Sequence, residues 1–93
     1  MGKIMKTKSQ ASIYDIHVST KIRAGRKLKK KTQKEIASIL SVSPQQVQKY
    51  EDGKNRVSAG QLYLISTFLE FPIHFFFEDM PVQKPINTLI DRT

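Results

Sequence analysis

Residues 41–53 read SVSPQQVQKYEDG, and within them Gln45, Gln46, Gln48 and Lys49 crowd long polar side chains into little more than one helical turn. Such groups do not make or break covalent bonds. An amide presents a donor and an acceptor side by side, which suits the N6 and N7 edge of adenine in the major groove of a DNA duplex. On a wheel of about 3.6 residues per turn, Val47, Tyr50 and Glu51 fall on one side of a helix over 44–52, and Gln45, Gln48, Lys49 and Asp52 fall on the other. A polar outer face is also what any solvated helix carries. The surroundings therefore decide what the amides are for.

Those surroundings are cationic. The chain has a formal charge of +8 over 93 residues and a pI near 9.9, which predicts attraction to polyanions. Residues 17–56 hold eleven Lys or Arg against three acids, whereas the first sixteen residues are balanced at +2 and the last thirty-seven at −2. The excess thus lies on both sides of the amide-rich stretch, as KLKKKTQK before it and GKNR after it. Phosphate contacts hold a protein in register on DNA and base-edge contacts discriminate sequence, and this segment has candidates for both.

Other chemistry has little to stand on. The chain has no Cys, and its His17 and His74 lie far apart without clustered carboxylates, so neither a metal nor another cofactor is expected and ordinary packing or capping is. Ser and Thr occur where helices begin, with no base and orienting group beside them, so no enzyme is expected. No glycine loop of the phosphate-cradling kind is present. The apolar runs fall far short of the roughly 18 residues a membrane span needs, no signal peptide is visible, and a cytoplasmic protein is expected. At this length one small domain with a modest core fits.

The elements that must position the amides are marked by their caps. Asp15 is placed to cap a first helix over about 15–30, in which Val18, Ile22 and Arg26 recur every four residues with Gly25 and Leu28 beside them. Three later segments, TQKE at 32, SPQQ at 43 and SAGQ at 58, repeat the capping-box pattern of a hydroxyl residue followed three positions on by Glu or Gln. Val42 with Val47, and Val57 with Leu62, stand in the positions of hydrophobic staples across two of these caps, and Pro44 falls at the first helical position. Helices are thus expected near 33–40, 44–52 and 59–70, with a fifth short one near 73–78. Only SVS separates the second from the third, which forces the sharp change of direction of a helix-turn-helix. Residues 1–14 lack a periodic apolar pattern and are expected as a flexible basic arm, 15–78 as the folded domain and 79–93 as a tail whose short apolar INTLI patch offers a contact to a second copy of the chain.

TQKEIASILSVSPQQVQKYEDGKNRVSAGQL resembles the helix-turn-helix of phage-repressor and Cro-like (XRE-type) transcriptional regulators, over about residues 17–78. QQVQKYEDGKNR and FFFED are similar to a subgroup of small bacterial regulators of that family. The resemblance implies an all-α, five-helix, lambda-repressor-like domain that binds a double-stranded DNA operator as a homodimer and regulates transcription, most simply as a repressor. It implies that Gln45 and Lys49 read bases with Gln46 and Gln48 at the margin. Gln33, with the cap residues Thr32 and Ser43, would bind phosphate on one side, and Lys54, Asn55 and Arg56 would do so on the other. Arg26 and Glu51 match a structural ion pair of the family.

Some positions depart from the pattern. Lys30 and Lys31 stand where the family often has a glycine and an apolar residue, Pro44 removes a side chain able to touch DNA, and the outward Asp52 would repel a close phosphate. LEFPIHFFFED places three consecutive Phe near the end of the domain, and these cannot all face one way, so at least one is expected exposed or covered by a partner. That end also supports an alternative of another class, an antitoxin-like or adaptor protein-interaction module.

Overall fold

The computed structural model describes residues 2–81, with side chains from residue 13 onward. Four α-helices and a 3-10 turn follow one another: α1 (Gly2–Leu28), α2 (Gln33–Leu40), α3 (Pro44–Glu51), α4 (Ala59–Leu69) and the turn Ile73–Phe77. Among the described residues there is no strand. The all-α class expected from the sequence is the class observed, with the fifth helix realised as a 3-10 turn.

Helix starts follow local chemistry closely. The Thr32 and Ser58 side chains accept from the amides of Glu35 and Gln61, whose side chains in turn accept from the cap N–H groups, completing two capping boxes. Ser43 accepts from the Gln46 amide, but the Gln46 side chain bonds Asn55 instead of reaching back, so the third box is half formed. The start of α1 differs from the expectation. The helix is continuous from Gly2, so Asp15 lies inside it and accepts the Ser19 hydroxyl at its carbonyl rather than capping a first turn.

The helix ends are less conventional. Lys30 takes a left-handed conformation at φ 58°, with Lys30 N–H donating to Lys27 and Lys31 N–H to Arg26, a Schellman closure made without glycine. Ser41 and Glu70 do the same after α2 and α4. The missing glycine at the end of the first helix is thus met by a lysine accepting a strained backbone.

Val18 and Ile22 of α1, Ile36, Ala37 and Leu40 of α2, Val47 and Tyr50 of α3, Leu62, Ile65 and Leu69 of α4, and Phe76 form the core. Leu28, grouped with the inward face of the first helix in the sequence, is instead 68% exposed. Val42 and Val57, the outer members of the expected staples, are half-buried against the core. The three phenylalanines divide as the helical geometry requires: Phe76 is buried, Phe75 half-buried and Phe77 exposed. Phe75 stacks on Phe71 at 4.1 Å and 7°, and this pair lies against the backbone of Gly25, where a Cβ would meet both rings at 3.1 Å. Three ammonium groups sit over the aromatic end: Lys21 over Phe75, Lys29 over Phe71 and Lys31 over Phe68. His17 donates to the Glu78 carbonyl, and His74 lies 3.7 Å from the Glu78 carboxylate. His17 thus ties α1 to the end of the 3-10 turn while His74 stands exposed, and among the described residues no three His, Cys, Asp or Glu gather as a metal site. No described helix is long and apolar enough to cross a membrane.

Candidate nucleic-acid interface

The link between α2 and α3 is short because the chain reverses on one residue. Ser41 is left-handed at φ 58°, Val42 N–H closes onto Ala37, and Ser43 then caps the next helix. An eight-residue helix is too short to persist in water alone, so the fold has to hold α3 in place. Val47 at 0% exposure and Tyr50 at 7% seat it on the core, and the Tyr50 hydroxyl accepts from Gln61 of α4 at 3.0 Å. Gln45, Gln48, Lys49 and Asp52 are exposed on its other flank, while Gln46 is half-buried.

A polar chain fixes how α3 is turned about its own axis. Arg26 of α1 grips Glu51 with both arms, Nε to Oε2 at 2.6 Å and Nη2 to Oε1 at 3.1 Å, and its Nη1 donates to the Lys31 carbonyl at 2.9 Å. The Glu51 side chain is wholly buried and that of Arg26 is 12% exposed, so this is an interior ion pair with its donors and acceptors matched. Gln33, at the start of α2, donates from Nε2 to Glu51 at 3.0 Å and to Gln48 at 2.9 Å, and Gln48 donates to Asp52 at 2.9 Å. Arg26 and Glu51 thus meet as the sequence reading anticipated. The inward engagement of Gln33 was not legible, because it depends on where α2 crosses α3.

The loop after α3 is built on its last turn. Gly53 sits at φ 77°, and the N–H groups of Lys54 and Asn55 both return to the Lys49 carbonyl. Gln46 donates to Asn55 Oδ1 at 3.2 Å, which turns the Asn55 N–H donors away from the helix. Lys54 and Asn55 are exposed, and exposed Arg56 lies 3.7 Å from Asp15 of α1. At the other edge of the helix pair, Thr32 is engaged with Glu35 through backbone and hydroxyl alike. The Thr32 N–H bond holds the Glu35 carboxyl below its ordinary range; desolvation opposes this, and the Thr32 hydroxyl and nearby Lys31 add to it.

The structure therefore brings Gln45, Lys49, Lys54 and Asn55 onto exposed positions of one helix and the loop that follows it, and engages Gln33, Gln46 and Gln48 with other protein groups. Residues 22–76 match the profile of the helix-turn-helix family. The chain belongs to the XRE-type helix-turn-helix family. Members of the family are DNA-binding transcription regulators. Among relatives, an uncharacterised HTH-type transcriptional regulator of Sinorhizobium medicae is 41% identical over 78 residues, covering 84% of this chain and 56% of the relative. Another from Sinorhizobium fredii is 45% identical over 76 residues, covering 82% and 53%. An uncharacterised transcriptional regulator in the ATPase CF(0) region of Rhodospirillum rubrum is 44% identical over 71 residues, covering 76% and 66%. This helix-turn-helix chain spans little more than half the length of the first two.

Proposed function

We propose that this helix-turn-helix protein binds an operator in duplex DNA through α3 and regulates transcription, acting as a cytoplasmic repressor and as a homodimer. One observation carries the reading: α3 is anchored by Val47, Tyr50 and Glu51 with its Gln45 and Lys49 flank exposed, next to a loop that offers Lys54, Asn55 and Arg56. Gln45 is the leading base reader, since Pro44 has no donor to offer and Gln48 is engaged with Gln33 and Asp52. Lys54 and Asn55 supply the phosphate contacts of the loop, Asn55 with its donors aimed outward by Gln46. Thr32 and Ser43 contribute the cap regions of α2 and α3, whose first-turn amides carry the positive end of each helix dipole.

The homodimer reading draws support from a groove that begins beside the loop after α3, at Arg56. Ile73 and Phe77, each close to half exposed, line a groove of about 270 Å³ together with Val18, Val57 and Leu62. It is the grouping of Ile73 and Phe77 at one apolar groove, rather than their exposure singly, that supports a surface for a second copy of the chain. The C-terminal tail that the sequence reading offered as a further dimer contact lies mostly outside the described residues. A two-fold dimer would set two recognition helices about 34 Å apart, so the operator should be palindromic with half-sites one turn apart.

Selection of bound duplexes from a random pool at near-physiological salt tests this. A palindromic motif is expected, and a pool that stays unenriched would reject operator recognition. Gln45→Ala should then cost about 1–3 kcal/mol of discrimination at one base position. Lys54→Ala should weaken all sequences alike and flatten the salt dependence by about one unit of slope.

A further inference from the structure

Two carboxylates dictate the polarity of the chain that runs through Gln33 and Gln48. Buried Glu51 can only accept, so the Gln33 amide must present its nitrogen inward, and it does so at 3.0 Å. Asp52 likewise can only accept, so Gln48 must give it an N–H, at 2.9 Å, which leaves the Gln48 oxygen to face Gln33. Gln33 fills that oxygen with its second N–H, at 2.9 Å. Both donors of the Gln33 nitrogen are then spent inside the protein. What its amide has left is a carbonyl oxygen, which cannot bond a phosphate because both are acceptors.

Glu51 cannot yield its share, since it is held from the other side by the Arg26 fork. Gln48 can, because it is exposed and its bond to Gln33 is between neutral amides, weaker than one to an anion. We propose that Gln48 is a placeholder for phosphate: when the α2 edge docks on DNA, a phosphate oxygen takes the Gln33 N–H from Gln48, and the Gln48 oxygen is freed on the reading helix while its N–H stays on Asp52. This rests on the DNA-binding reading above and adds to it a coupling between backbone docking and the freedom of a side chain on the reading helix. In this role Gln48 is a positioning residue, acting through Gln33 rather than by base contact in the free protein.

The test is a double-mutant cycle on the full chain. Gln33→Ala, Gln48→Ala and the double variant are titrated into one 20-base-pair duplex of random sequence over a range of salt, after thermal melts establish that each is folded. Displacing Gln48 makes the phosphate bond of Gln33 nearly an exchange in the native protein, so Gln33→Ala should cost little there. In the Gln48→Ala background nothing is displaced, and removing Gln33 should weaken binding roughly two- to tenfold, the span of one net hydrogen bond. The salt slope should be unchanged throughout, because no charge is altered. As a second readout, the side-chain N–H resonances of Gln33 and Gln48 in the native protein should both move on addition of the duplex. Equal costs of Gln33→Ala in both backgrounds, or Gln33 resonances that stay in place while the duplex binds, would overturn the placeholder and leave the DNA reading intact. Failure of the native chain to bind any duplex would overturn both.

Discussion

The α3 face and the aromatic end are both fastened to α1, and they are fastened by opposite kinds of force. At α3 the attachment is the forked bond of Arg26 to Glu51, continued by Gln33 and Gln48. At the other end it is ring area: Phe71 and Phe75 stacked against Gly25, Phe76 fully buried, and lysines over the ring faces. Hydrogen bonds between fixed planar groups are directional, whereas apolar burial is not. A recognition helix must be held at one rotation about its axis, because a turn of a single residue's angle would carry Gln45 off its flank. Closure of the domain needs only that the rings stay out of water. The polar attachment thus serves aim and the aromatic one serves cohesion.

The largest effects should separate the two. Glu51→Ala and Phe76→Ala are each expected to cost about 3–5 kcal/mol in denaturant unfolding, the first by stranding a buried guanidinium and the second by opening a cavity. They should differ in rescue. Replacing both Arg26 and Glu51 by Met should restore a large part of the loss in stability, since a buried pair exchanged for apolar volume is often near neutral. DNA discrimination should not return with it, because the fork that sets the rotation of α3 is gone. Full recovery of sequence discrimination in that double variant would break the division between aim and cohesion.

A smaller effect probes the aromatic side alone. Gly25→Leu places a branched side chain where even a Cβ would stand 3.1 Å from two stacked rings. It should destabilise by about 1–3 kcal/mol through overpacking, with the side-chain resonances of Phe71 and Phe75 shifting and those of Gln45 unmoved. Smaller again is the connector between the two regions. Lys30→Gly relieves a left-handed residue at φ 58° and should stabilise by about 0.5–1 kcal/mol, read as a raised denaturation midpoint with the slope unchanged.

The same contrast explains what could be read before any coordinates. Local signals reached the caps of Thr32, Ser43 and Ser58, the turn at 41–43 and the inward placement of Val47, Tyr50 and Glu51, since each depends on residues within about one turn of its own helix. The Arg26–Glu51 pair was accessible because both positions fell on inward faces and matched a family pattern. Three features were out of reach. Gln33 turning inward depends on how α2 crosses α3, and the stack on Gly25 depends on a contact between residues more than forty positions apart. The continuation of α1 back to Gly2 has no capping or periodic signature in the sequence.

The finest distinction between the regions is their response to acid. The stacked and buried phenylalanine rings do not titrate, whereas the start of α2 is held by the Glu35 carboxylate accepting the Thr32 N–H at 2.8 Å and the Thr32 hydroxyl at 3.2 Å. Those bonds hold the Glu35 carboxyl below its ordinary value in the folded protein. The sign follows from linkage: a depressed carboxyl contributes stability that is fully present above its unfolded-state range and is lost as pH falls through the lower folded value. Because Glu35 is on the surface the contribution is small. It should be visible first as a local change, with the Thr32 amide resonance titrating at a pH below that of an unperturbed glutamate while the ring resonances of Phe76 hold still. Glu35→Gln keeps a carbonyl to receive the Thr32 N–H but removes the charge, so its stability should lie below that of the native chain at neutral pH and converge with it in acid. A Thr32 amide that follows an ordinary glutamate titration, or a gap between the two proteins that widens on acidification, would show that the charge of Glu35 has no part in holding the α2 edge.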